Sequence, residues 1–139
     1  MFLVFKRCRF LLKMITEDEY LMGRAEQYPI DGQLSANCAD IVAKANRLMI
    51  ASRYCRGVRS GYRPAAINAQ VPHASATSKH MTCQAVDLED NDGKLKSWCM
   101  QNLGVLVTIG LWMESPEFTS TWCHLQTVPP KSGNRIFMA

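Results

Sequence analysis

The sequence predicts an α+β domain in which N-terminal helices pack on a mainly antiparallel sheet. Three observations carry that reading. Apolar residues recur at helical spacing before residue 50, and short alternating or β-branched runs dominate after residue 57. Turn signals such as Asn91-Asp92-Gly93 and Ser115-Pro116 separate those runs. A chain of 139 residues fits one domain and can bury a core without staples.

In chain order, Thr16-Glu17-Asp18-Glu19 reads as a capping box, so a short helix is expected over residues 17–24. Ser35 or Asn37 then caps a second helix whose apolar positions are Ile41, Val42, Ala45, Leu48 and Met49. Residues 57–60 form a short extended piece, and the proline-containing stretch 63–73 holds a short helix within a loop. Residues 84–89 read as a strand and residues 94–103 as a helix. The β-branched run 104–113 and the stretch 122–128 read as two further strands joined in a hairpin. A basic tail, 131–139, closes the chain. If Glu114 lies opposite Trp122, strand alternation places Glu114 and His124 on one face.

Charge placement limits the partners. Of the sixteen basic residues, Lys6, Arg7, Arg9 and Lys13 precede Met14, leaving twelve against twelve acidic residues beyond it. A neutral body lacks the broad basic footprint of a nucleic-acid binder. Residues 1–13 read as a basic and apolar extension ahead of a domain spanning 14–139. In that extension, charges interrupt the apolar run, unlike a secretory signal. No apolar run approaches the length of a membrane span, so no stable membrane insertion is expected. The alternatives for the extension are an amphipathic helix lying on a membrane surface or a helix packed on the domain. The six cysteines show no C-x-x-C spacing and read as reduced, mostly buried thiols, consistent with cytoplasmic synthesis. A monomer is expected.

The chemistry concentrates in Ser78-Lys79-His80-Met81-Thr82-Cys83-Gln84-Ala85-Val86-Asp87 and in Trp122-Cys123-His124-Leu125-Gln126. Two histidines and an aspartate can form a facial set for catalytic zinc, which keeps a position open for water. The alternative is three unrelated polar residues that never meet. Cys83, three residues after His80, is a further candidate ligand. Cys123 should point away from His124 by alternation. His73 reads as a solvated loop residue, and Trp112 and Trp122 as packing on strands.

Taken together, Ser60-Gly61-Tyr62-Arg63-Pro64, Ser78-x-His80, Ala85-x-Asp87 and Trp122-x-His124 resemble the zinc D-Ala-D-Ala peptidase family. That family shares its fold with lysostaphin-type enzymes and the hedgehog signalling domain. The motifs cover residues 60–126 and occur in the family's order. The resemblance implies that His80, Asp87 and His124 bind Zn2+ and that Arg63 helps to hold substrate, with Ser78 and Tyr62 as further substrate-binding candidates. It implies hydrolysis of an amide bond in bacterial cell-wall peptide, as a D,D-carboxypeptidase, an endopeptidase or a phage lysin acting on the wall after delivery or release. The chain departs from the family in two places. Cys83 stands where glycine usually precedes the strand, a place that calls for unusual backbone or close approach. Thr121 and Trp122 stand where an acid or a histidine usually serves as general base. Glu114 is the first substitute and Glu117 the second. The third alternative is an inert site, which would leave a cell-wall-binding or virion structural module.

Overall fold

The computed structural model describes residues 13–138; the proposed extension lies outside these except for Lys13. The first helix, α1 (Glu17–Leu21), starts from Thr16 as expected, with the N-cap half of the capping box formed. Thr16 Oγ1 accepts from Glu19 N at 3.1 Å and donates to the Glu19 carboxylate at 3.2 Å. The helix ends earlier than expected because Met22 and Gly23 turn left-handed. Helix α2 (Gly32–Ser52) also departs from expectation at its start, with Asp31 in the capping position. Ser35 and Asn37 lie inside it, and Asn37 instead donates to the Thr82 carbonyl at 3.0 Å. Its buried stripe, Cys38, Ile41, Val42, Ala45, Leu48 and Met49, follows the anticipated period.

A short strand β1 (Val58–Ser60) and helix α3 (Ala65–Asn68) lead to β2 (Ala85–Glu89). Helices α4 (Lys94–Gln101) and α5 (Leu103–Ile109) come next, then β3 (Trp112–Glu114), β4 (Trp122–Gln126) and β5 (Ile136–Phe137). Five strands form one mixed sheet in the order β1-β2-β4-β3-β5. All pairings are antiparallel except β3 with β5. The α+β class is therefore as expected, with one parallel pairing that the sequence reading missed. No helix among the described residues is long and apolar enough to cross a membrane.

Two expectations for the second half need correction. The β-branched run 104–113 is mostly helix α5, with only its end in β3. Leu106 and Ile109, three residues apart, are buried in the core shared with α2. Gly110, at φ 89°, ends the helix as its amide bonds back to the Leu106 carbonyl. Burial at helical spacing has overridden β propensity here. The hairpin register is Trp112↔Gln126 and Met113↔Leu125, two residues away from the one assumed. A slip of two keeps every side chain on its face. It also carries Glu114 onward to the level of His124.

The sheet has two unlike faces. Val86, Leu88, Met113, Cys123 and Leu125 alternate into the helix-covered core. The intervening Asp87, Glu114, Trp122, His124 and Gln126 point to the other side. Cys38, Cys83, Cys99 and Cys123 are buried free thiols, as expected of small core residues.

The first helix is tied to the start of the site motif through Tyr20. Its hydroxyl donates to the Ala85 carbonyl at 2.7 Å, and its own carbonyl accepts from Tyr62 N at 2.9 Å. Gly61 passes so close that a Cβ there would sit 1.9 Å from the Tyr20 oxygen. Backbone stands on both sides of that clash, so no side-chain rotation relieves it. Gly61→Ala is expected to lower stability by about 2 kcal/mol or more, read as a lower urea midpoint; an unchanged midpoint would contradict this packing.

Candidate metal centre

His80 is placed by the turn that precedes β2 and is 2% exposed. Its amide donates to Ser78 Oγ at 3.3 Å, and its carbonyl accepts from Arg63 N at 3.0 Å. Its ring Nδ1 lies 2.9 Å from the Gly61 carbonyl. Ser78 thus organises the turn around His80. The turn then passes through Cys83, buried in the core at φ 55°. This left-handed conformation is what a glycine would adopt without strain, and it costs a cysteine roughly 1 kcal/mol. Cys83 packs among core residues and does not join the ligand cluster, so its candidacy as a ligand is corrected.

Asp87 and His124 face each other across the β2–β4 ladder as register partners. Asp87 Oδ1 is 2.8 Å from His124 Nδ1, and Oδ2 is 3.3 Å from His80 Nε2. The imidazole centroids are 5.3 Å apart at 66°. One ligand atom from each of His80, Asp87 and His124 lies within 4.8 Å of the others. These residues meet, as the sequence reading requires, and they can hold a metal ion.

Proton accounting supports that capacity. Gln126 Nε2 donates to the Val128 carbonyl at 2.7 Å, which turns its Oε1 toward His124 Nε2 at 3.1 Å. Both histidines therefore have a fixed acceptor at the outer nitrogen, the Gly61 carbonyl for His80 and Gln126 for His124. A neutral ring that donates outward presents a bare lone pair inward, toward the Asp87 carboxylate. Two lone pairs and a carboxylate converging on one point need either extra protons or a cation between them. Outer N–H groups anchored while inner nitrogens converge is the second-shell pattern of metal-bound histidines.

The electrostatics agree. Burial alone would raise the Asp87 carboxyl, but the charge of His80 and hydrogen bonds from both rings hold it well below the usual carboxylate range. Burial disfavours charge on His124, yet the Asp87 hydrogen bond and charge, helped by Gln126 and Glu114, raise its pKa. A cation on the inner face would displace any proton held there, so metal and proton compete.

The centre opens into a cleft of about 780 Å³. Arg63, Ser78, Glu114 and Trp122 line it. Arg63 Nη2 donates to Ser78 Oγ at 3.3 Å, while its buried Nε has no hydrogen-bond partner. Burial lowers the Arg63 pKa, Asp87 opposes that shift and Arg24 adds to it. Burial raises the Glu114 pKa, with His124 opposing and Asp87 adding. Besides Asp87, Glu114 is the only carboxylate in the cleft wall among the described residues. Glu117 lies exposed on the 3-10 turn Pro116–Phe118, outside the cleft. Tyr62 is 4% exposed, packed in the core and absent from the wall, so its assignment to substrate binding is corrected. Trp112 instead carries Arg135 stacked at 4.1 Å. His73 is exposed as expected but also lines the outer cleft.

Sequence reasoning missed Gln126, Phe137, Lys79 and Lys131 as parts of this site. Gln126 carried a readable signal, because two residues beyond His124 on a strand is the same face. Phe137 carried none, since a two-residue strand is too short to show a period; its ring stands edge-on to His124 at 6.1 Å. Comparison with protein-family models, curated proteins and solved structures finds no match. Gln126→Ala removes the outer anchor of His124 and is expected to weaken divalent-metal affinity by about 10- to 100-fold. Calorimetric titration of the metal-free protein measures this, and unchanged affinity would exclude the anchoring role.

Proposed function

We propose that the protein is a zinc-dependent peptidase of the D-Ala-D-Ala type. It would hydrolyse peptidoglycan stem peptides, as a D,D-carboxypeptidase or an endopeptidase in the manner of a phage lysin. The observation that carries this reading is the convergence of His80, Asp87 and His124 at the floor of an open cleft whose wall holds one further carboxylate. The ordered motifs from Ser60 to Gln126 support the family resemblance. Two imidazoles and a carboxylate are the donor set of catalytic zinc sites that retain an open coordination position. Bound there, zinc would polarise a scissile carbonyl and lower the pKa of water toward ~7.

The remaining work falls to the chain itself. His80 and His124 stay neutral toward the metal because Gly61 and Gln126 hold their outer protons. Glu114 accepts the proton released by the attacking water and returns it to the leaving amine; its raised pKa suits a group that must do both. Arg63, anchored through Ser78 in the cleft wall, presents its guanidinium to the substrate's terminal carboxylate or to negative charge developing on the carbonyl oxygen. Desolvation strengthens that contact.

A second reading, a non-catalytic wall-binding or virion module with the same fold, is favoured by one observation. Thr121 accepts from Arg59 Nη1 at 2.5 Å, and Arg59 lies over the Trp122 ring at 4.7 Å. Neither position supplies a base, so proton transfer depends on Glu114 alone. The zinc-loaded protein is expected to bind one zinc per chain and to release muropeptides from purified sacculi. His80→Ala should lose both properties, and full hydrolysis by zinc-free His80→Ala would rule the peptidase out. Glu114→Gln should keep its zinc and lose about 100-fold or more in turnover. An inactive parent whose sacculus binding is indifferent to Glu114→Gln would favour the binding module.

A further inference from the structure

The cleft wall carries three basic residues against two carboxylates. From Met14 onward the sequence is charge-neutral, yet Arg63, Lys79 and Lys131 all line this one cleft. Opposing them are only Asp87, already engaged by two histidines, and Glu114. Among the described residues Lys79 and Lys131 form no ion pair, unlike Lys44, Arg56 and Arg59 but like the exposed Arg47, Arg53 and Lys94; what sets the two lysines apart is that they share one cleft. Lys79 stands on the loop that leads into His80, and Lys131 on the loop that leaves β4 through Pro129-Pro130. Both loops line the outer cleft, with His73, Ser75 and Thr77 from the first and Ser132 and Asn134 from the second. A divalent ion at the centre would add to the same sign of field. Low-dielectric walls focus such a field on whatever enters.

We propose that Lys79 and Lys131 determine specificity, selecting peptides that carry free carboxylates in addition to the terminal one. In wall chemistry these are stems in which the γ-linked glutamate and a diaminodicarboxylic acid keep their acid groups, as opposed to stems amidated at those positions. The inference rests on the peptidase reading for the identity of the substrate and goes beyond it by naming the substrate's charge state. Arg63, beside the metal ligands, takes the group next to the reacting bond. Lys79 and Lys131, on the two loops, take the more distant acids. Ammonium groups suit this task, because each is a point charge on a flexible stem and can follow carboxylates that differ in position.

The test uses two synthetic stem pentapeptides, identical except that the internal carboxylates are free in one and amidated in the other. With the zinc-loaded full chain, the free-acid peptide is expected to show a KM about tenfold lower, at about fivefold or less for each exposed charge pair. That ratio should shrink as salt rises. In the Lys79→Ala/Lys131→Ala double variant, checked for folding by circular dichroism, the ratio should fall to about one. Equal KM for the two peptides in the parent would overturn the inference, as would a ratio that survives in the double variant; either result leaves the peptidase intact. If neither peptide is cut, the same pair is titrated calorimetrically into the zinc-loaded protein. Tighter, lysine-dependent binding of the free acid then upholds charge selection while the peptidase fails. Equal binding, or none, overturns charge selection.

Discussion

The pairing of Asp87 with His124 across the β2–β4 ladder is the constraint on which the rest depends. Strand alternation leaves no freedom once that register is set. If Val86, Leu88, Cys123 and Leu125 are to be buried, Asp87 and His124 must emerge together on the far face. The hydrophobic core therefore does more than stabilise the sheet: a slip of one residue would expose the core and bury the polar pair. Apolar burial, at about 25 cal/mol per Å², is a large force to set against such a slip. The site's geometry inherits the stability of the sheet without needing strong contacts of its own.

The third member of the cluster arrives by a different route. His80 is on no strand, and its position depends on Gly61 and the turn through Cys83. Gly61 is in turn held against Tyr20 on a helix that contributes nothing to the cleft wall. The N-terminal helix thus reaches the centre through one carbonyl and one glycine. This explains why the Ser60-Gly61-Tyr62-Arg63 motif mixes roles. Gly61 supplies the backbone oxygen for His80, Arg63 faces the cleft, and Tyr62 belongs to the core.

The meeting of His80, Asp87 and His124 was legible because strand period and motif order both point to it, and period survives any even slip in register. The assumed hairpin was two residues off, yet Glu114 still reached the right face. The helix at 103–109 was not legible from composition. Val105, Val107, Thr108 and Ile109 favour strand locally, and only the burial of Leu106 and Ile109 against α2 decides otherwise. Cys83 falls between these cases. Its place in the motif foretold an unusual backbone, and φ 55° bears that out, while its burial excludes the ligand role that its chemistry allowed. The short strand at 136–137 had no local signal, because its two pairings with β3 are defined entirely by residues more than twenty positions away.

That last strand also completes the wall of the centre. Phe137 faces His124, and both Phe137 and Met138 border the cleft, so its wall includes residues that follow His80, Asp87, Glu114 and His124 in the chain. Residues 136–137 close one side of the cluster only because they pair beside β3. The cleft wall therefore depends on the shortest strand of the sheet.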